Sequence, residues 1–452
     1  MPFSSRPPLL LLILPFLALF WLETNKSSAP AHHHTANPKQ QPIQPAALVN
    51  QASAPIAPVA TEEGGAREYK QRVVAVADIH GDLPHLMRIL RRAELVDLKG
   101  QWTGGETILV QTGDIVDRGP DTIAIYRYLQ TLRPQAEKAG GGLLSLMGNH
   151  EVMNYLGDWR YVTKEDIASF GGERNRREAM STGWIGQEWR GNYSFTARVP
   201  YLISSFPPSV PATSFPVTPL GSSDRRFVGD PSPPLPADED PFAYSAASFV
   251  HGGITPEYLS SLDTDSPISK INSIGSSILY SLLNSPAAPL GLPRSATPEQ
   301  REFWSERGPL WCRDWALEEE EEICGRVDKA LEMLKVKRMI MGHTPQFEGI
   351  LSRCGGKVLV IDTGISRAYG GPLSSLKITH TLTPPSLLPL ADALAFNLID
   401  LADPNPEETL RTMGQDGGKV RWVEREVVKA LYADGKEQEL AREERTVELP
   451  VK

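Results

Sequence analysis

Six short apolar runs, alternating with helix-like stretches, constrain this chain most strongly. Arg72–Ala77 (RVVAVA), Thr107–Gln111 (TILVQ), Gly142–Met147 (GLLSLM), Ala246–Val250 (AASFV), Arg338–Met341 (RMIM) and Lys357–Ile361 (KVLVI) are too short for core helices and read as buried strands. Leu83–Glu94 and Asp121–Leu132 read as helices between the first three. That βαβ rhythm implies α/β layering. No internal repeat is visible.

The residues at the end of each run are more informative. The first ends in Asp78-Ile79-His80-Gly81 and the second in Gly113-Asp114-Ile115-Val116-Asp117-Arg118-Gly119. Gly148-Asn149-His150-Glu151, His251-Gly252-Gly253 and Gly342-His343-Thr344 end three others. In open α/β folds, ligands bind outside the carboxyl ends of strands. Glycine lets those turns tighten and the backbone approach a ligand closely. Five such ends deliver Asp, His or Asn, a donor set suited to two divalent metals roughly 3.5–4 Å apart. Asp78 and His80 can serve one metal, Asp114 can bridge, and Asn149, His251 and His343 can serve the other. Imidazole and carboxylate favour Mn, Fe or Zn over Ca. A lone His after a strand is usually a cap or a turn residue. Here, of nine histidines, three lie in a tract at His32–His34 and four of the other six fall in these motifs, which makes chance a poor explanation. His85 and His380 read as ordinary surface or core histidines, and Asp82 and Glu151 as residues that orient their neighbours.

The remaining sequence bounds the organisation. The 452 residues can bury a sizeable core. The net charge of −9 argues against coating nucleic acid, although a local cationic site can outvote the global sign. Three cysteines, Cys312, Cys324 and Cys354, allow at most one disulfide, and no CxxC pair exists for a thiolate zinc site. Pro8–Leu22 is an apolar run behind Arg6, shorter than the roughly 20 residues of a usual membrane span. It reads as a signal peptide or a short signal anchor within residues 1–26, which favours the secretory pathway or an endomembrane lumen; a mitochondrial location is the alternative. Residues 27–66 read as a disordered Ala/Pro-rich stalk. Residues 67–383 form the expected catalytic domain, with Pro/Ser-rich loop insertions at 207–241 and 284–298. After Thr383 the strand signal weakens. Residues 384–452 read as a mixed tail, in which Val420–Leu431 forms one short strand or helix.

The order Asp-x-His-Gly, Gly-Asp-x-Val-Asp-Arg-Gly, Gly-Asn-His-Glu, His-Gly-Gly and Gly-His-Thr resembles the phosphoprotein phosphatase family of the calcineurin-like metallophosphoesterases. Asn149–Val162 (NHEVMNYLGDWRYV), Gly342–Gln346 (GHTPQ) and Ile361–Gly371 (IDTGISRAYGG) are similar to its Shewanella-like branch. The resemblance covers roughly Gln71 to Leu376. It implies an α/β sandwich of mixed sheets flanked by helices, with a dimetal site at the strand ends. It further implies Asp78, His80, Asp114, Asn149, His251 and His343 as metal ligands and His150 as the general acid, oriented by Asp117. Arg118 would hold phosphate oxygens, Arg313 would be a second phosphate arginine, and Tyr369 would line the site. Two departures stand out. Ala77 occupies a position usually held by Gly, and Gly-His-Thr replaces the Ala-His-Gln of the familiar serine/threonine enzymes, so their inhibitors and regulatory subunits cannot be assumed to act here. The expected reaction is one-step phosphomonoester hydrolysis by a metal-bridging hydroxide, on a phosphorylated protein. The rivals are a small-molecule or dinucleotide-polyphosphate phosphatase, a phosphodiesterase, which Arg118 argues against, and an inactive phosphoprotein-binding module.

Overall fold

A computed structural model describes residues 68–202, 230, 241–282, 291–413 and 419–450. The apolar run at Pro8–Leu22, the stalk and almost all of the 207–241 insertion lie outside the described residues. Among the described residues, no helix is long and apolar enough to cross a membrane.

Two mixed sheets face each other. The first has seven strands in the order β12-β11-β10-β1-β2-β3-β4, with β1 at Tyr69–Val76, β2 at Ile108–Gln111, β3 at Gly142–Leu146, β4 at Tyr193–Ser194, β10 at Ser374–Thr383, β11 at Lys419–Tyr432 and β12 at Glu437–Pro450. The second has five in the order β5-β6-β7-β9-β8, with β5 at Thr196–Pro200, β6 at Ala246–Val250, β7 at Arg338–Met341, β8 at Leu351–Arg353 and β9 at Val358–Val360. β1 to β4 run parallel, as do β6, β7 and β9. The two-residue period decides which face each side chain serves. Val73, Ala75, Ile108 and Val110 point between the sheets, where they meet Ala247, Phe249, Ile340 and Leu359. Val74, Val76 and Leu109 point outward to Leu86, Ile89 and Leu90 of α1 (Leu83–Arg92) and to Ile125, Tyr126 and Leu129 of α2 (Thr122–Lys138).

Three short helices and a longer one come after β3: α3 (Asn149–Leu156), α4 (Lys164–Ser169), α5 (Glu173–Met180) and α6 (Trp184–Asn192). The outer face of the second sheet is covered by α7 (Pro256–Ser261), α8 (Pro267–Ser281), α9 (Pro298–Phe303), α10 (Asp314–Leu317) and α11 (Glu320–Leu334). Cys324 of α11 is disulfide-bonded to Cys354 beyond β8, while Cys312 is free and buried.

Two expectations are corrected. The region after Thr383 is not merely a mixed tail. β11 pairs with β10 over ten residues and with β12 along nearly its whole length, so the segment completes the first sheet. The cause is burial of one face, for Val420, Trp422, Val428 and Ala430 all face apolar partners. The end of the 284–298 insertion is also packed. Leu292 and Ala296 are buried against the core, and Pro298 opens α9.

Candidate metal centre

Backbone conformation marks the site before its chemistry does. Ten non-glycine residues among those described have positive φ, and five are in the strand-end motifs: His80 (45°), Asp114 (54°), Asp117 (70°), Arg118 (67°) and His343 (68°). Each left-handed non-glycine residue costs of order 1–3 kcal/mol and persists where surrounding structure over-determines it. The glycines between them give room. A Cβ on Gly148 would lie 2.1 Å from Asp114 Oδ1, and one on Gly342 would lie 2.3 Å from Asp78 Oδ1.

These loops bring Asp114 to the centre. Its Oδ2 lies 3.3 Å from His251 Nε2 and 3.8 Å from both His80 Nε2 and His150 Nε2. His80 Nδ1 is 2.8 Å from the Val116 carbonyl and His251 Nδ1 is 2.9 Å from that of Thr112. Those carbonyls require a proton on Nδ1, which leaves Nε2 of each ring as the inward-facing nitrogen. Burial, reinforced by His150, lowers His80 to about 4, and burial with His251 lowers His343 well below the ordinary range. Neutral rings with an open lone pair are what a metal needs. The carboxylates have the opposite problem. Burial, Asp362 and Asp114 raise Asp78 well above its usual range, and burial raises Asp362 to about 6. Burial opposes ionisation of Asp114, but the surrounding histidines hold its pKa well below normal.

Two donor groups result, His80–Asp114–His150 and Asp114–His251–His343, sharing Asp114. His343 Nε2 is buried with no hydrogen-bond partner. Crowded carboxylates, neutral imidazoles and this orphaned nitrogen together fit a pair of divalent cations. Asn149 places its Oδ1 2.7 Å from His251 Nε2. Asp78 stands slightly apart, with its carboxylate accepting the His343 amide at 3.1 Å. His150 stands in its place beside His80 and Asp114.

His150 Nδ1 is 2.7 Å from Asp117 Oδ2. Burial disfavours a charged ring, but Asp114 and Asp117 outweigh it and raise His150 to about 9. Glu151 accepts the amides of Asp114 (2.8 Å), Ile115 (2.8 Å) and Gly148 (2.7 Å), tying two strand-end loops together. Asp82 accepts the His85 amide at the start of α1 and the Arg367 amide at 2.8 Å. Both carboxylates therefore orient backbone, as their positions in the motifs suggest. His380 is buried and 2.9 Å from Glu424.

Arg118 lies between two aromatic rings, 4.6 Å from the Tyr161 centroid and 5.3 Å from that of Tyr369, with its Nε buried and unpartnered. Tyr369 is 5.4 Å from His80, and Tyr161 is 4.9 Å from His150. Arg313 donates to the His343 carbonyl (2.9 Å) and to Thr344 Oγ1 (3.1 Å), so it braces the His343 loop. Four residues of the site escape sequence reasoning: Asn154, Tyr161, Arg176 and Asp362. Asp362 carries a signal, because it ends the run Lys357–Ile361 just as Asp78 ends the first. Asn154 lies one helical turn beyond the Gly-Asn-His-Glu motif on α3, whereas Arg176 and Tyr161 come from a helix and a loop whose sequences hold no strand-end motif.

The fold and this donor cluster define a metal-dependent phosphoesterase. Residues 71–347 match the calcineurin-like phosphoesterase family, and the chain belongs to it. It is a hydrolase acting on phosphoric monoesters. Shewanella-like protein phosphatase 2 of Arabidopsis thaliana is 32% identical over 338 residues, 66% of this chain and 73% of that protein. An uncharacterised Schizosaccharomyces pombe protein is 35% identical over 322 residues, 70% of this chain and 80% of its own. Among solved structures, a cold-active protein-tyrosine phosphatase of a Shewanella species has the same fold, with a TM-score of 0.50 and 22% identity over 82% of this chain and 80% of that one.

Proposed function

We propose that this phosphoesterase removes phosphate from phosphorylated proteins, with His150 as the general acid. The observation that carries the reading is the buried His150–Asp117 pair, which stands beside Arg118 at the edge of the donor cluster. Relatives named as protein phosphatases support the substrate class.

Two divalent metals, of the Mn, Fe or Zn type by donor chemistry, would be held by Asp78, His80, Asp114, Asn149, His251 and His343 and would supply Lewis-acid activation of phosphate and water. Arg118 offers its planar fork to the phosphate oxygens while Tyr161 and Tyr369 restrict its movement. Asp117 fixes the His150 tautomer and stabilises the imidazolium, so Nε2 carries a proton toward the leaving oxygen.

His150→Asn tests the assignment. The variant should keep two metals yet lose about 10²–10⁴-fold in turnover of a phosphoserine peptide. The loss on nitrophenyl phosphate, whose leaving group needs no proton, should be much smaller. Asp117→Asn should show a milder version of the same split. Equal losses on both substrates, or loss of a metal, would remove His150 from the role of acid. A wild-type enzyme that hydrolyses nucleotides but no phosphopeptide would overturn the protein substrate.

We further propose that the catalytic domain is lumenal or extracellular. The apolar run at Pro8–Leu22 and the Cys324–Cys354 disulfide both favour an oxidising compartment. Digestion of the domain by protease added to intact microsomes would contradict this, and recovery in mitochondria would select the alternative.

A further inference from the structure

We infer that Arg176 is a positioning residue for the acid: its guanidinium locks the Asp117 carboxylate in the orientation that aims His150. The inference rests on the assignment of His150 above.

Arg176 is on α5, a helix of the segment after β3, and its side chain is wholly buried. Such a residue would ordinarily turn its charged head to solvent. Instead the fork reaches three acceptors on three parts of the fold. Nη1 donates to Asn154 Oδ1 of α3 at 2.6 Å. Nε donates to Asp166 Oδ2 of α4 at 2.8 Å. Nη2 donates to Asp117 Oδ1, in the loop after β2, at 3.3 Å. The rings of Trp159 and Phe170 enclose the guanidinium at 5.0 and 5.6 Å.

The pattern on Asp117 gives the arrangement its consequence. Oδ1 receives both Arg176 and Asn154 Nδ2, the latter at 2.9 Å. Oδ2 is left to His150 Nδ1. With one oxygen held by two donors, the carboxylate cannot rotate, and the plane of the imidazole follows. Asn154 also donates to the His150 carbonyl at 2.9 Å, so the main chain and the ring of the acid are tied to the same network. Arg is required because its rigid fork spans three acceptors at once, and a lysine ammonium of equal charge cannot. Segment α4–α5 thereby becomes part of the active site without touching substrate.

The test compares Arg176→Lys and Arg176→Met, each alone and combined with Asp117→Asn. Arg176→Lys, which keeps the charge, should fold, and it decides the matter if Arg176→Met does not. In folded variants with both metals retained, kcat on a phosphoserine peptide should fall roughly 10–100-fold, a fraction of the range for removing an acid outright, with KM nearly unchanged. Nitrophenyl phosphate turnover should fall far less. In the Asp117→Asn background, Arg176→Lys should add almost nothing, because residues acting in series are not additive. A readout independent of turnover is the low-field proton resonance of the His150–Asp117 hydrogen bond, identified by its absence from His150→Asn; it should shift or broaden in Arg176→Lys. Equal losses on both substrates, full additivity with Asp117→Asn, or an unchanged resonance would overturn the inference. His150→Asn measured alongside separates the failures. A split there but none at Arg176 removes this inference alone, whereas no split at His150 removes the acid assignment and this inference with it.

Discussion

Gly148 has an ordinary φ of −94°, so another residue could adopt its backbone; what excludes a side chain is space. A Cβ there would press on Asp114 Oδ1 at 2.1 Å and on the Asp114 amide nitrogen at 2.5 Å. Gly435 presents the reverse case. Its φ is +98°, in the β11–β12 turn, and a Cβ added there would meet nothing within 4 Å. The two alanine variants should therefore fail differently. Gly148→Ala should displace Asp114, lower metal affinity at least about 10-fold and cost roughly 1–3 kcal/mol of stability. Gly435→Ala should cost about 1 kcal/mol through backbone strain and leave metal affinity unchanged. Metal titration by calorimetry and urea unfolding of both proteins check this; equal metal affinities would refute the steric account of Gly148. At this scale much of the candidate site is legible in the sequence. Asp78, His80, Asp114, His150, His251 and His343 stand after strands at glycine-flanked turns, where sequence order alone places them at one edge. Arg176 and Tyr161 are not legible, because their place beside the acid depends on how α3, α4, α5 and the adjoining loops fold back, a long-range outcome with no local sign.

Secondary-structure elements are legible in proportion to how fully they are buried. The interior strands β1, β2, β3, β6, β7 and β9 each carry a short, mostly apolar run, and those runs mark most of their length, although β1 begins earlier, at Tyr69, in a polar stretch. β10 escapes a reading by apolar runs because its buried face includes His380 among Leu376, Ile378 and Leu382. β12 escapes it because it is an edge strand, rich in Glu and Arg, whose charges discourage pairing with another chain. Helix α2 runs past its expected end, through Arg133 and Pro134, because Leu132, Arg133 and Ala136 are buried against β3. One cross-link joins elements that pairing does not. Cys324 and Cys354 are 30 residues apart and tie α11 to the turn between β8 and β9. By loop-closure entropy, a bridge of this span stabilises by roughly 3–4 kcal/mol. Cys324→Ser should lose about that much in denaturant unfolding, while specific activity and metal content at room temperature stay unchanged. A midpoint equal to that of the oxidised wild-type protein would show that the bridge contributes nothing.

For the molecule as a whole, the two sheets are joined by buried charge as well as by apolar packing. Arg338 of β7 is fully buried and donates to Glu426 of β11 at 2.7 Å and to Glu443 of β12 at 2.8 Å. Its neighbour Lys337 lies 3.7 Å from Glu424 and 3.6 Å from Glu426. Glu424 also accepts from His380 (2.9 Å), Ser245 (2.8 Å) and Arg445. Burial by itself would raise the Glu424 pKa, but the His380 hydrogen bond, Lys337 and Arg445 hold it far below the carboxylate range. Glu426 is lowered in the same way, with Arg338 and Lys337 opposing burial. The sign of the pH effect is then fixed. A carboxylate whose folded pKa is depressed contributes its full stability above its unfolded value, about 4.3 for Glu, and loses it as pH falls toward the folded value. The contribution of these two carboxylates should thus be level near neutrality and decline below roughly pH 4. Glu424→Gln should cost about 3–5 kcal/mol near neutral pH, because it leaves buried cationic and donor groups without their carboxylate. The gap from wild type should narrow as pH falls through about 4 to 3, where wild-type Glu424 is itself losing its charge-dependent advantage. Urea unfolding of both proteins at about pH 7 and at about pH 3.5 measures the gap. A gap of constant size across that range would mean that Glu424 acts through shape and hydrogen bonding alone, and that its charge does not help to hold the sheets together.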